Sequence, residues 1–286
     1  MSGGGGDEYI RPTSLGEALR ARRQHADYLV LAGGTDLLVS AAHKPAPPGI
    51  IDLFGLPALV GVAAEPDGTI AIGAATTYAQ LLRSELCKLE LPALWAASRE
   101  VGALQIQARG TLGGNLATSS PVGDTLPVLL ALDAVVELAS ESGVRRVEYS
   151  DFVTGYRVTA LRPDELIMTV RFPPRPPGAR QYWRKMGTRR AQSISKVMLA
   201  ACAEVAGGAI RHIRLGLGAV ADRPVRARAA EAAVLGRAPG AEAASRARAA
   251  LAGEIRPIDD VRSTAAYRLA AAQNVVARFI ESLAEP

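Results

Sequence analysis

Tyr28-Leu29-Val30-Leu31-Ala32-Gly33-Gly34-Thr35-Asp36-Leu37-Leu38 decides the fold. An apolar run of β character passes directly into a glycine pair, and a helix-compatible pattern resumes from Leu37 to Ala42. Strand, glycine turn and helix start in immediate succession predict a small α/β unit. A second pair, Gly113-Gly114, stands in Arg109-Gly110-Thr111-Leu112-Gly113-Gly114-Asn115-Leu116, again beside hydroxyl and amide side chains. Glycine lets successive backbone N–H groups converge on an oxyanion with no Cβ in the way, and a helix beginning just beyond adds partial positive charge. Thr35, Thr111, Asn115, Thr118, Ser119 and Ser120 add side-chain donors. Neither segment matches GxGxxG or GxxxxGK[ST], so the dinucleotide-fingerprint and P-loop readings fail at the motif level. One glycine pair is commonly an ordinary turn; two, each in polar company, leave a turn and an anion site as comparable readings.

Outward from these loops, Ser14-Leu15-Gly16-Glu17 fits a capping box that opens a short helix, and Thr77 with Gln80 makes a second. Leu59 to Ala63 and Thr69 to Gly73 flank Glu65-Pro66-Asp67-Gly68, a hairpin signal. Pro92 and Gly102 bracket a helix that contains Trp95. From Asp133 the pattern is strand, turn at Glu141-Ser142-Gly143, strand, and Leu166 to Phe172 is a further strand, so the later sheet is expected to be antiparallel. Pro173-Pro174-Arg175-Pro176-Pro177-Gly178 cannot continue a central strand or helix and marks a domain boundary. Beyond it, Lys196 to Val205 and Ala209 to Val220 flank Gly207-Gly208, a hairpin turn. Helical patterns follow at Ala227 to Leu235, at Ala241 to Leu251 and in a final segment with Leu269, Val276, Ile280 and Leu283.

With 286 residues, 49% of them hydrophobic, the chain can bury more than one core, and two or three compact units are expected. No run of about 18 apolar residues offers a membrane span. Ser2, the Gly3 to Gly6 run, Asp7 and Glu8 stand where a signal peptide needs basic and then apolar residues, which points to a cytoplasmic protein. Cys87 and Cys202 are far apart, and His25, His43 and His212 fall in no metal-ligand spacing with them, so no metal site is expected and both cysteines read as small buried residues. The net charge of +5 invites a nucleic-acid reading. Arginines scattered through every segment, without interleaved aromatics, argue instead for a solvated surface.

Leu31 to Leu38 (LAGGTDLL) and Arg109 to Leu132 (RGTLGGNLATSSPVGDTLPVLLAL) closely resemble the two FAD-binding signatures of the medium subunit of molybdenum hydroxylases, the group of xanthine and carbon monoxide dehydrogenases and related N-heterocycle hydroxylases. The resemblance continues through Asp151 to Ile167 (DFVTGYRVTALRPDELI), Lys185 to Val197 (KMGTRRAQSISKV) and Ala265 to Arg268 (AAYR), and so covers nearly the whole chain in order. It implies an α+β fold: a two-subdomain FAD-binding fold of the vanillyl-alcohol-oxidase type over residues 1–176, divided at about 1–55 and 56–176, then a C-terminal α+β domain over 177–286 with a small antiparallel sheet and helices. Ala32 to Asp36 and Thr111 to Asn115 are then expected to clamp the FAD diphosphate from opposite sides.

The family pattern adds Leu29, Val30, Leu31, Leu37, Val101, Gly102, Thr118, Ser120, Val122, Asp124, Ile167 and Lys185 to Ala32, Gly33, Gly34, Thr35, Asp36, Thr111, Gly113, Gly114 and Asn115 as cofactor contacts. Asp124 also reads as a cap for a helix over Thr125 to Leu132. Lys185 reads either as a surface lysine or as a cation buried against the cofactor, where it would help hold an anionic reduced flavin. Gly155-Tyr156-Arg157 has no evident chemistry of its own and reads as packing against the flavin domain or a partner. Thr35-Asp36 stands where some relatives carry His-Ser, which leaves the subfamily open.

By this resemblance no residue of the chain is catalytic. A large molybdenum-cofactor subunit hydroxylates substrate, a small 2Fe-2S subunit carries the electrons, and FAD on this chain passes them to NAD+ or another acceptor, in a dimer of heterotrimers. The GYR and KMGTRRAQ segments lean toward xanthine dehydrogenase-type subunits. A self-sufficient flavin oxidase would need a larger substrate domain and a base near the flavin. A scaffold that has lost electron transfer would not need both glycine loops.

Overall fold

The computed structural model describes residues 8–41, 45–189 and 192–285. The Gly3 to Gly6 run, Ala42, His43 and the Arg190-Ala191 centre of the KMGTRRAQSISKV segment lie outside the described residues. The chain opens with β1 (Glu8–Ile10), α1 (Leu15–Gln24), β2 (Leu29–Leu31), α2 (Leu37–Ala41) and β3 (Gly49–Asp52). The three strands are parallel in the order β1-β3-β2, as helical connections require. Ala18 and Ala21 of α1 join Ile51, Leu53, Leu56 and Leu59 in one small core. Ser14 caps α1 by accepting from the Glu17 amide at 3.2 Å, but the expected box is not completed. The Glu17 carboxylate accepts instead from the amide and the hydroxyl of Thr13, two donors where the Ser14 amide offers one.

Next come β4 (Val62–Ala64), β5 (Ile70–Gly73), α3 (Tyr78–Arg83), α4 (Glu85–Glu90), α5 (Pro92–Arg99), α6 (Leu104–Arg109), α7 (Leu112–Thr118) and α8 (Leu126–Ala131). These are followed by β6 (Val135–Ser140), β7 (Gly143–Glu148), α9 (Tyr149–Phe152), β8 (Val153–Gly155), β9 (Val158–Thr159) and β10 (Leu166–Phe172). The strand expected from Leu59 starts only at Val62, because Pro57 begins a tight turn that buries Leu59. β4-β5-β10-β6-β7 form one antiparallel sheet. Ile72, Val136, Leu138, Val170 and Phe172 from it share a core with Leu81, Leu94, Leu112, Leu116 and Leu129 of the helices, each fully buried side chain contributing about 1.5–3 kcal/mol. The Thr77–Gln80 capping box is complete.

Across the prolines the chain changes sheet. β11 (Arg180–Met186), β12 (Val197–Ala206), β13 (Ala209–Gly218) and β14 (Val225–Arg226) are antiparallel in sequence order, and α10 (Arg228–Val234), α11 (Ala241–Leu251) and α12 (Ala265–Ser282) complete the chain. Gly207 and Gly208 both have positive φ, +59° and +73°, the geometry of the hairpin turn read from their pairing. β12 is buried on both faces: Leu199 and Ala201 join the core of α10 to α12, while Ala200 and Cys202 join the core that contains α8. Gly216 lets β13 come close to α8, since a Cβ there would stand 2.1 Å from the Pro127 carbonyl oxygen. Cys87 and Cys202 are free and buried, and burial pushes their thiols up to about 12 and about 11, so both pack as apolar groups.

Candidate functional site

Both glycine loops open onto one cleft of about 1510 Å³. The loop from β2 to α2 and the loop into α7 meet backbone to backbone: a Cβ on Gly33 would lie 1.9 Å from the Arg109 carbonyl oxygen. Gly33 is therefore glycine because another chain segment fills the space of its side chain, and Gly34 because its φ is +74°. The Arg109 guanidinium sits 3.8 Å from the centre of the Phe54 ring, which anchors the second loop to the first unit.

The loops differ in what they offer. The N–H groups of Gly33, Gly34, Thr35 and Asp36 have no hydrogen-bond partner among the described residues, so this turn presents successive free donors. In the second loop the amides of Leu112 to Asn115 are already bound. Leu112 N–H donates to Thr76 O, Gly113 N–H to Ala74 O at 2.8 Å, Gly114 N–H to Thr111 Oγ1 and Asn115 N–H to Thr111 O. The expectation that both glycine pairs present converging amides is corrected: Gly113 is needed for packing, its Cβ position lying 2.6 Å from Ala74 Cβ. From this side the cleft receives side chains, among them Thr111, Asn115, Thr118 and Ser120. Asn115 is held by the Thr125 hydroxyl, which donates to its Oδ1 at 2.8 Å. Ser119 is buried at a left-handed φ of +47°, and its hydroxyl has no hydrogen-bond partner among the described residues.

Asp124 lines the cleft. Its carboxylate accepts from Lys185 Nζ at 2.8 Å and from Ser195 Oγ at 2.9 Å, and Trp183 Nε1 donates to its carbonyl. The expected capping role is absent: α8 begins after Thr125 with no side-chain cap, because Lys185 and Ser195 hold the Asp124 carboxylate. Burial raises the Asp124 carboxyl, with Lys185 and Ser195 opposing it. Lys185 is a buried cation, its side chain 7% exposed, and stands behind Asp124 rather than in the cleft wall.

Of the remaining expected contacts, Leu29, Val30, Leu31, Ala32, Thr35, Asp36, Leu37, Val101, Val122 and Ile167 line the cleft, whereas Gly102 does not. Gly102 serves the turn before α6, with φ +53° and a Cβ position 2.7 Å from Ile106. Tyr78, Tyr156, Arg157, Glu165, Arg262 and Arg268, which are not among the expected cofactor contacts, also line the cleft; Tyr156 and Arg157 are expected only to pack against the flavin domain or a partner. Arg268, from the AAYR segment, is buried; it holds both oxygens of Asp260 at 2.8 and 2.9 Å and donates to Lys196 O and Ala219 O. It thereby ties α12 to two strand ends at the cleft.

A volume above the roughly 300–1,000 Å³ of ordinary small-ligand pockets, with one amide-rich wall and one of hydroxyl and amide side chains, fits an elongated cofactor with a diphosphate. The class defined is thus a nucleotide-cofactor-binding protein. Residues 5–175 match the family described as "FAD binding domain in molybdopterin dehydrogenase", and residues 181–283 match "CO dehydrogenase flavoprotein C-terminal domain". The chain belongs to this family, the FAD-binding medium subunits of molybdenum hydroxylases. It is 33% identical to the xanthine dehydrogenase FAD-binding subunit of Escherichia coli O157:H7 over 227 residues, 78% of this chain and 77% of that one. It is 32% identical to the nicotine 6-hydroxylase medium subunit of Paenarthrobacter nicotinovorans over 275 residues, 95% of each. Its fold is similar to that in the structure of carbon monoxide dehydrogenase from Hydrogenophaga pseudoflava, with a TM-score of 0.90, 33% identity and 95% of each chain covered. No helix of the described residues is long and apolar enough to cross a membrane.

Proposed function

We propose that the cleft holds FAD with its diphosphate against the free amides of Gly33 to Asp36, and with Thr111, Asn115, Thr118 and Ser120 on the opposite wall. Those four unpartnered N–H groups carry this reading. Leu29 to Leu31, Val101, Val122 and Ile167 would pack against the rings and ribose, and Asp124, fixed by Lys185 and Ser195, would orient polar edges of the cofactor. Bound FAD supplies electron acceptance and donation. The chain positions the cofactor, shields it from water and keeps a charged group at a fixed place beside it.

The chain divides at the prolines, into 1–176 with parts at about 1–55 and 56–176, and 177–286; the change of sheet between β10 and β11 supports this division. Its electrons would come from 2Fe-2S clusters in a small subunit, after hydroxylation in a large molybdenum-cofactor subunit, and leave to NAD+ or another acceptor, in a cytoplasmic dimer of heterotrimers. A xanthine dehydrogenase-like assembly is supported by the 33% identity to the Escherichia coli subunit. A carbon monoxide dehydrogenase or an aldehyde or N-heterocycle hydroxylase is the second reading, favoured by the longer match to the carbon monoxide dehydrogenase medium chain of Hydrogenophaga pseudoflava, 96% of each chain. Purifying the complex through a tag on this chain tests the assembly. Co-purification of two partners carrying molybdenum and iron supports it; a chain that always emerges alone would sink it.

A further inference from the structure

The hairpin β8–β9 projects Tyr156 and Arg157 at its tip into the wall of the cleft. Arg157 has a φ of +54°, a conformation that side chains other than glycine rarely adopt and that persists where surroundings hold it. Two contacts hold it. Arg223 Nη1 donates to Thr154 O at 2.6 Å, and Arg157 Nη1 donates to Asp36 Oδ2 at 3.3 Å. The hairpin therefore spans from the first glycine loop to the segment after β13.

Asp36 brings a carboxylate to the end of the run of free amides, Gly33 to Asp36. A carboxylate there opposes any bound anion, unless a cation offsets it. The other cleft-lining arginines are engaged away from this loop: Arg262 and Arg268 pair with Asp260, Arg256 donates to carbonyls of Gly253 and Ile255, and Arg22 donates to Tyr28 O. We propose that Arg157 is a positioning residue for the FAD diphosphate, acting through Asp36: it neutralises the carboxylate that borders the amide nest and so makes the nest selective for the anionic part of the cofactor. The inference rests on the reading of the cleft as the FAD site.

The test uses full-length chain freed of flavin, titrated with FAD at two salt concentrations and followed by the change in flavin absorbance. Arg157→Gln should weaken FAD binding by about two- to tenfold, and more at low salt than at high, because an exposed charge acts through water and is screened. Asp36→Asn should bind at least as well as wild type, the double variant should recover most of the loss, and Arg157→Lys should recover part of it. Thermal unfolding of the flavin-free variants should match wild type, because an exposed pair adds little to stability. If Arg157→Gln binds FAD as wild type does, or if the double variant is as weak as Arg157→Gln alone, the proposal is overturned. A wild-type chain that takes up no FAD at all defeats the reading of the cleft, and this inference with it.

Discussion

Lys185 Nζ lies 2.8 Å from the Asp124 carboxylate, both groups largely withdrawn from water, and the pair ties β11 to the loop that leaves α7. A buried pair broken on one side leaves an uncompensated charge. Lys185→Met should therefore cost about 3–5 kcal/mol in chemical denaturation. The double variant Asp124→Asn, Lys185→Met should cost less, because it leaves no orphan. Equal losses in single and double variants would show that the two residues do not act as a pair.

Gly33 and Gly114 should respond differently to alanine. The Gly33 Cβ would meet the Arg109 carbonyl at 1.9 Å, a backbone atom with no room to retreat, and Gly33→Ala should cost about 1–3 kcal/mol and release the flavin. The Gly114 Cβ would meet only Thr111 Oγ1 at 2.8 Å, and turning that side chain aside costs the cap of α7, about 1 kcal/mol, so Gly114→Ala should retain flavin and lose less stability. Flavin content and thermal unfolding of the two variants side by side decide the point.

Acid sensitivity should trace in part to Glu165. The Arg145 guanidinium, 2.6 Å from its carboxylate, holds it below the usual 4.5, with the Arg162 amide helping and burial opposing. Because the folded value lies below the unfolded one, the stabilisation is complete above about pH 4.5 and is lost as the pH falls through the folded value. Glu165→Gln should lower stability at neutral pH by about 1–3 kcal/mol and flatten the stability profile on the acid side. An unchanged acid slope would remove Glu165 from this role.

The contact of the two antiparallel sheet units through α8 should be the most sensitive apolar seam. Leu129 is fully buried in the core that also takes in Ala200 and Cys202, and Leu129→Ala should cost about 2–5 kcal/mol by urea titration. A cost within experimental error of zero would mean that the seam relaxes around the cavity.

Much of this was legible in the sequence, because the signals were local. The strand Leu166–Phe172, the Gly207-Gly208 turn and the Thr77–Gln80 box depend on residues within a few positions of one another. The two glycine pairs located the cleft. What their residues do was not legible, since it depends on distant partners: the Gly113 amide donates to Ala74, Gly33 packs without a side chain against the Arg109 carbonyl, and the Asp124 carboxylate is held by Lys185 and Ser195. Arg157 reads only as part of a packing segment, for the same reason. Its meaning is set by Asp36, far off in the chain, and no periodicity connects them.

The most direct test of the central claim is the visible spectrum of this chain alone and in its co-expressed complex, before and after candidate substrates are added without oxygen. The account predicts flavin in both preparations, and bleaching by substrate only where the partner subunits are present. Absence of flavin from both preparations, or bleaching of the isolated chain by substrate, would contradict it.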